Sequence, residues 1–477
     1  MSPSLLHTLL ALLLLLGGIF LLRRLWLGAL AGILFLSISR FGTEGTGYWL
    51  PILTDTLIIW VELGLLIFGA YLFYNLLRQQ PHITIFSQKL GTAEKGLAVI
   101  LLFGWFLGSL MEGIAGFGIP AMLIAPLLYR LGFRALTCVI IPLAANTASV
   151  TFGALATPLR VGIGIVAVED AVAQYTVLFN SIPIVVMPFV LAWLYSKTEQ
   201  RTIDWHRERQ TLLLAGICFL VPYWIGSRLS IELPTVLAGG IGMIAFVALV
   251  MPHSQRPSLL LWWRAFGAYL LFIALLIVAG WLLKPINWQW WEGSKKLSAF
   301  QPGIVFIVAA LIYRAVAIKE PTSRSLRQAF SQTVAGMRMT LLSILLLILF
   351  TQLIRTGMIA AYSDLAPQQS WMGLVVFSGL SGVVGSFITG SATMGNLLFA
   401  GGLKQLLAGQ LWLSPALAAL HSGSAVGNAI SLQNILMVKS VIPQPIEEGQ
   451  VMQLNAPVVV LYLLLVCISA WIVLSFF

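Results

Sequence analysis

The chain has 477 residues, of which 59% are hydrophobic and only 9% charged, with a net charge of +11; soluble domains run near about 25% charged. A mean hydropathy of +0.96 excludes a soluble globular protein and points to a polytopic membrane protein. The 27 basic residues lie in short loops between apolar runs, which is a topology signal and excludes a phosphate-binding, nucleic-acid face.

An apolar run at 4–22 opens the chain. No positive charge precedes it and Arg23 and Arg24 follow, so it reads as a spanning helix ending in the cytoplasm, not a cleaved leader. With a short run at 25–39 it forms an N-terminal helical pair over 1–50. A full span follows at 54–77, with Glu62 inside it. Next comes the stretch around which the chain is organised, Gly108–Arg160. It is apolar, yet it holds Glu112, five glycines between Gly108 and Gly132, four prolines (Pro120, Pro126, Pro142, Pro158) and the polar run Asn146-Thr147-Ala148-Ser149. Irregular backbone at membrane depth survives only where protein or a water-filled cavity satisfies it, and in transporters such segments hold the substrate. Residues 97–128 therefore read as a re-entrant hairpin and 135–158 as a broken helix.

Further spans are predicted near 172–195, 210–227, 234–251, 265–283, 302–318 and 333–354. The charged loops Lys197–Arg209 and Ile318–Arg327 read as cytoplasmic connections, and the four tryptophans of Trp281–Trp291 beside Lys284 suit an outer interfacial belt. Residues 371–404 form a second interrupted stretch, followed by a broken helix at 412–438 and a last span at 456–477. Each hairpin limb holds about 15 residues, roughly 22 Å of helix, against a hydrocarbon core of about 30 Å. The expected fold is all-α, with about twelve transmembrane helices and two re-entrant hairpins. Its segments are the pair 1–50, a first repeat 51–196, linking and scaffold helices 197–327, and a second repeat 328–477.

With the N-terminus outside, 18 of the 27 basic residues fall inside and 8 outside, which favours this threading. The two hairpins then open to opposite sides, an inverted-topology repeat. Shifted by 277 residues, GSLMEGIAGFG (108–118) lies on GSFITGSATMG (385–395); shifted by 276, ANTASV (145–150) lies on HSGSAV (421–426).

The candidate chemistry gathers at these breaks. A carboxylate within a membrane is costly and by default functional, so Glu112 is a candidate to bind a coupling cation or carry a proton; the plainer role is to hydrogen-bond loose backbone. Gly116-Phe117-Gly118 before Pro120 resembles a turn opening a helix, whose free N–H groups attract an anion. Thr389, Ser391, Thr393 and Asn396 form its hydroxyl-rich counterpart. Asn146, Thr147, Ser422 and Ser424 mark where the broken helices unwind, with His421 and Asn428 beside the second break and Gln433 just beyond. His421 is a second proton candidate, with simple packing as its alternative. Arg160 either snorkels to the interface or attracts an anion. Cys138, Cys218 and Cys467 lie in apolar runs without disulfide or zinc spacing, and no cofactor or metal site is expected.

EGIAGFGIP, LAANTASVTFGALATP, FITGSATMGNLLF and VGNAISLQNI together resemble the L-lactate permease family of bacterial secondary carriers. The resemblance implies proton-linked transport of small 2-hydroxy monocarboxylates (L-lactate, D-lactate, glycolate) across the cytoplasmic membrane, and an elevator-type fold with inverted hairpin repeats. The chain departs from the family pattern at four positions: Ala392 stands for an aspartate, Asn428 for a lysine, Leu432 for a proline and His421 for a threonine. Expected partners are a small monocarboxylate, a proton and membrane lipid, with a homodimer left open. A channel is the first rival reading, but no filter motif or ring of like charges is present. An intramembrane enzyme is the second; no paired acids, metal spacing or nucleophile pair supports it.

Overall fold

The computed structural model describes residues 3–20, 25–40, 46–77, 96–114, 116, 118–164, 169–250, 256, 258–283, 285–288, 297–317, 326–365, 370–439 and 442–475. The chain folds into two compact units, one formed by Met1–Leu5, Ala93–Arg256 and Arg355–Phe477, the other by Leu6–Thr92 and Pro257–Ile354. Each unit thus draws on both halves of the sequence.

The second of these units is a bundle of apolar helices, among them Leu25–Arg40, Thr46–Leu77, Leu259–Leu283 and Pro302–Ala317. Its helices touch through glycine: a Cβ on Gly69 would stand 2.2 Å from the Gly303 carbonyl oxygen, a backbone approach typical of membrane helix pairs. Phe272 and Phe306 stack at 4.0 Å with Phe73 beside them. Asn75 Nδ2 donates to Thr333 Oγ1 at 3.0 Å and Trp60 Nε1 to the Leu341 carbonyl at 2.9 Å. Glu62, inside the span expected at 54–77, is only half-buried. The all-helical expectation is also amended: Asn287–Trp288 pairs antiparallel with Leu297–Ser298, in a loop where Pro285 cannot continue the preceding helix.

The first unit contains both interrupted stretches. Among the described residues, five helices are individually long and apolar enough to cross a membrane: Leu97–Ile114, Asp170–Glu199, Trp205–Leu229, Trp371–Thr389 and Glu448–Leu474. A sixth follows if the bent pair Ala135–Ala145 and Ser149–Arg160 counts as one span.

The first hairpin joins Leu97–Ile114 to Ile119–Arg130, and the second joins Trp371–Thr389 to Ala392–Leu406. The limbs are unequal, 18 and 12 residues in the first and 19 and 15 in the second, where equal limbs were expected. Gly108 and Gly113 do not interrupt the first limb. Gly113 is instead a contact point, since a Cβ there would meet Val236 N at 2.8 Å. The limb is π-helical over Ile100–Leu107, and Trp105 stacks on Phe219 at 4.5 Å. Its flank is covered by the helix Pro234–Val250, where a Cβ on Gly239 would come within 2.3 Å of Leu110 N.

The two broken helices follow the hairpins. The first bends by 57° between Ala135–Ala145 and Ser149–Arg160. Its start is anchored by Glu199, which accepts from Arg134 N at 2.8 Å and from Thr137 Oγ1. After a 3-10 turn at Ser149–Phe152, Ala154, Leu155 and Ala156 adopt φ of 43°, 55° and 60°. Left-handed backbone costs about 1–2 kcal/mol per residue outside glycine, so the packing around this buried break must hold it in place. The second runs Leu413–Gly427, a 3-10 turn at Asn428–Ile430, and Leu432–Lys439, so it stays helical through Ser422 and Ser424, where unwinding was expected, and breaks one turn later. Here Asn434 spans the break, donating from Nδ2 to the Asn428 carbonyl at 3.2 Å and from its backbone N to Ser431 Oγ at 3.4 Å.

Candidate functional site

Each hairpin turns on a left-handed glycine. Gly116 and Gly118 have φ of 59° and 77° in the first, and Gly390 has 68° in the second. The first tip rests on its own repeat's break, where a Cβ on Gly116 would meet Ala154 Cβ at 2.6 Å. It also rests on the last segment of the other repeat, since a Cβ on Gly118 would meet Met437 Cε at 2.2 Å. The second tip does the reciprocal. Gly390 lies under Gln433, and Asn396 reaches the Pro158 carbonyl at 2.9 Å. Phe117, a predicted site residue, lies outside the described residues.

Glu112 is 4% exposed and its Oε2 accepts from Asn146 Nδ2 at 2.8 Å. Its Oε1 would stand 2.7 Å from a Cβ on Gly153, so glycine leaves room for the carboxylate. Ser109 Oγ donates to Ser149 Oγ at 3.2 Å, and Ser149 in turn reaches the Asn146 carbonyl at 3.2 Å. Thr235 Oγ1 donates to the Ser149 carbonyl at 2.9 Å, and Thr151 Oγ1 pairs with Tyr223 OH at 2.8 Å. Glu112, Asn146, Ser149, Ser109 and Thr235 thus form one bonded group, with the Thr151–Tyr223 pair beside it.

The second half-site is different. Thr389 Oγ1 serves the tip backbone, donating to the Gly385 carbonyl at 2.8 Å, and Ser391 caps its helix by accepting from Met394 N at 3.4 Å. Thr393 is buried. His421 Nε2 lies 2.8 Å from the Thr151 carbonyl and its Nδ1 2.8 Å from Asn396 Nδ2, so the imidazole ties the second broken helix to the first break and to the second hairpin. Four buried polar atoms here have no partner among the described residues: Asn396 Oδ1, Ser422 Oγ, Ser424 Oγ and Asn428 Oδ1. Buried polar atoms are nearly always bonded, so each such exception calls for an explanation, an unseen ligand among them. Ala392 packs its methyl with Val150 and Ala425, an apolar patch between the second hairpin and the two broken helices.

Two predicted residues, Thr147 and Arg160, are drawn elsewhere, while Gln433 stays over the second tip at Gly390. Thr147 is buried but directs its hydroxyl to Met187 Sδ at 3.8 Å, on the helix Glu169–Glu199. Gln433 is exposed. Arg160 faces Glu232 Oε1 at 3.5 Å, so its charge is met within the protein. Glu232, 3% exposed, was not singled out from sequence; an acid between two apolar helices in SIELP was the available signal. Tyr223 and Asn434 were missed too, since nothing local marks a tyrosine or asparagine that pairs across the fold.

Two hairpins, each closing on a broken helix lined with buried polar groups inside a chain of apolar helices, define a multi-pass membrane transporter. The L-lactate permease family profile matches residues 25–258 and 295–477. The chain belongs to that family, whose members are permeases, not enzymes. The L-lactate permease of Bacillus subtilis is 26% identical over 444 residues, spanning 78% of this chain and 77% of its own. The glycolate permease GlcA of Escherichia coli is 26% identical over 413 residues, 70% of each chain. Among solved structures, the YdaH transporter of Alcanivorax borkumensis aligns over 99% of this chain and 98% of its own at 13% identity, with a TM-score of 0.48.

Proposed function

We propose that this chain is a secondary active carrier of small 2-hydroxy monocarboxylates, L-lactate, D-lactate and glycolate, moved together with a proton across the cytoplasmic membrane. Relatives named for L-lactate and glycolate support the substrate class. The observation that carries the reading is the set of unpartnered atoms on Asn396, Ser422, Ser424 and Asn428. Serine hydroxyls offer donors to a carboxylate, and amide oxygens offer acceptors to a hydroxyl. The uncapped amino end of Ile119–Arg130 behind Gly118 adds N–H groups that favour an anion.

Coupling falls to Glu112. An electroneutral symport needs a group that takes up a proton with the substrate and gives it up inside. Both ring nitrogens of His421 are engaged in ties between segments, which leaves the carboxyl at the first break. A carboxylate that becomes neutral on protonation travels through lipid depth at lower cost than an imidazolium. The hairpins are re-entrant, and the unit that bears them crosses the membrane as one body, elevator-fashion.

The test is uptake of labelled L-lactate, D-lactate and glycolate into proteoliposomes. Accumulation above the external concentration under an imposed inward proton gradient, and only equilibration without it, supports the reading. Uptake of none of the three acids, or accumulation indifferent to the gradient, contradicts it.

A further inference from the structure

The structure assigns to Asn396 the reading of the substrate's 2-hydroxyl: its side-chain oxygen is an acceptor-only group, held in place by Pro158 and His421. The inference rests on the carrier function proposed above and goes beyond it to the residue that sets specificity.

Asn396 sits one turn into the helix Ala392–Leu406 and is fully buried. Its Nδ2 lies 2.9 Å from the Pro158 carbonyl oxygen and 2.8 Å from His421 Nδ1. A carbonyl oxygen can only accept, so the nitrogen end of the amide must face Pro158; this neighbour fixes the choice between the two amide orientations. The second amide hydrogen points to His421 Nδ1, which must therefore accept. The ring proton then belongs on Nε2, where it is donated to the Thr151 carbonyl at 2.8 Å. Every donor in this relay is used, and each nitrogen fixes the next.

What remains is Asn396 Oδ1, buried and without a partner among the described residues. Because the amide cannot turn without breaking both bonds of its nitrogen, only a donor can satisfy that oxygen. A 2-hydroxy acid has one such group, its O–H, for its carboxylate only accepts. A 2-oxo acid offers another acceptor at the same carbon, and an unsubstituted acid offers nothing. Donors for the carboxylate stand close by. Ser424 Oγ lies 3.0 Å from where a Cβ on Gly395 would be, one residue before Asn396, and it too lacks a partner among the described residues. Ser424, on the second broken helix, thus flanks the residue next to Asn396 on the second hairpin, which puts a donor in the same neighbourhood as the acceptor. A site built to bond a substrate hydroxyl rejects analogues lacking it far more strongly than a site that merely fits their shape.

The full chain in proteoliposomes supplies the test, with kcat/KM measured for L-lactate, pyruvate and propionate. The wild type is expected to prefer L-lactate over both by at least about tenfold. In Asn396→Ala, L-lactate should lose at least about ten times more than pyruvate, so the ratio collapses. His421→Ala, which frees the amide to rotate, should lower the same ratio and serves as the second variant if Asn396→Ala does not fold. A wild type that carries pyruvate as well as L-lactate overturns the inference without recourse to any variant. So does a folded Asn396→Ala or His421→Ala that loses all acids equally or keeps the wild-type ratio. Absence of L-lactate transport by the wild type would instead refute the carrier reading itself.

Discussion

The two half-sites share a plan and differ in how fully their polar groups are used. In the first, Glu112, Asn146, Ser109, Ser149, Thr151, Tyr223 and Thr235 bond one another. In the second, two amide oxygens, Asn396 Oδ1 and Asn428 Oδ1, and two serine hydroxyls are buried and unpartnered among the described residues. A mutually bonded buried network favours one geometry, whereas unsatisfied groups carry a desolvation cost that a ligand can relieve. Under the proposed function the comparison implies a division of labour, with the coupling charge in the first half and the substrate at the second.

The largest effect is expected at Glu112, the buried carboxylate bonded to Asn146. Glu112→Gln should abolish accumulation driven by a pH gradient while leaving part of the exchange of internal for external substrate. Accumulation that survives there but disappears in His421→Ala would move the proton to the second half and reverse the comparison.

Next in size is the hairpin tip. Gly116→Ala forces a side chain into left-handed backbone and against Ala154 Cβ at 2.6 Å, and should cost about 2–4 kcal/mol. Gly409, with φ of 75° and nothing within 4 Å, isolates the backbone part alone. Gly409→Ala should cost only about 1–2 kcal/mol, read as a smaller fall in Tm in detergent. Equal falls would mean that the tip does not bear on the break.

A subtler pair compares the halves directly. Asn146→Ala removes the partner of a buried carboxylate and should destabilise by about 1–3 kcal/mol. Ser424→Ala removes a buried hydroxyl that bonds nothing among the described residues, so it loses no bond and sheds a desolvation cost of about 1–3 kcal/mol; Tm should hold or rise while the apparent KM for L-lactate rises. A Tm loss at Ser424 matching that at Asn146 would erase the distinction between the halves.

Much of this was legible in the sequence. Apolar runs located the helices, because burial in lipid or protein leaves the same signal. The Gly, Pro and small polar clusters at 113–120, 146–149 and 389–396 pointed to both hairpin turns and the first break, whereas Ser422-Gly423-Ser424 stays helical and the second break falls later, at Asn428–Ile430. Limb lengths were not legible, because Gly113 marks a helix contact and reads locally like an interruption. Nor were partners. Thr151 finds Tyr223 and Arg160 finds Glu232 at a separation of 72 residues each, and His421 reaches Thr151 across 270. Pattern within a helix says nothing of such pairings, which explains why Thr147 was assigned to the site although its hydroxyl faces Met187. The threading rests on charge bias and has its own check. In a background without native cysteines, Ser294→Cys should react with an impermeant reagent applied outside and Asp204→Cys should not. The reverse pattern would undo the inverted repeat.

The central claim, that substrate binds in the unsaturated half, is tested most directly by an experimental structure of the carrier with L-lactate bound. Density for the acid is expected against Asn396, Ser422 and Ser424, with its hydroxyl at Asn396 Oδ1 and the Glu112–Asn146 bond intact beside it. Lactate seated in the first half, in place of that bond and away from the second hairpin, would contradict the account.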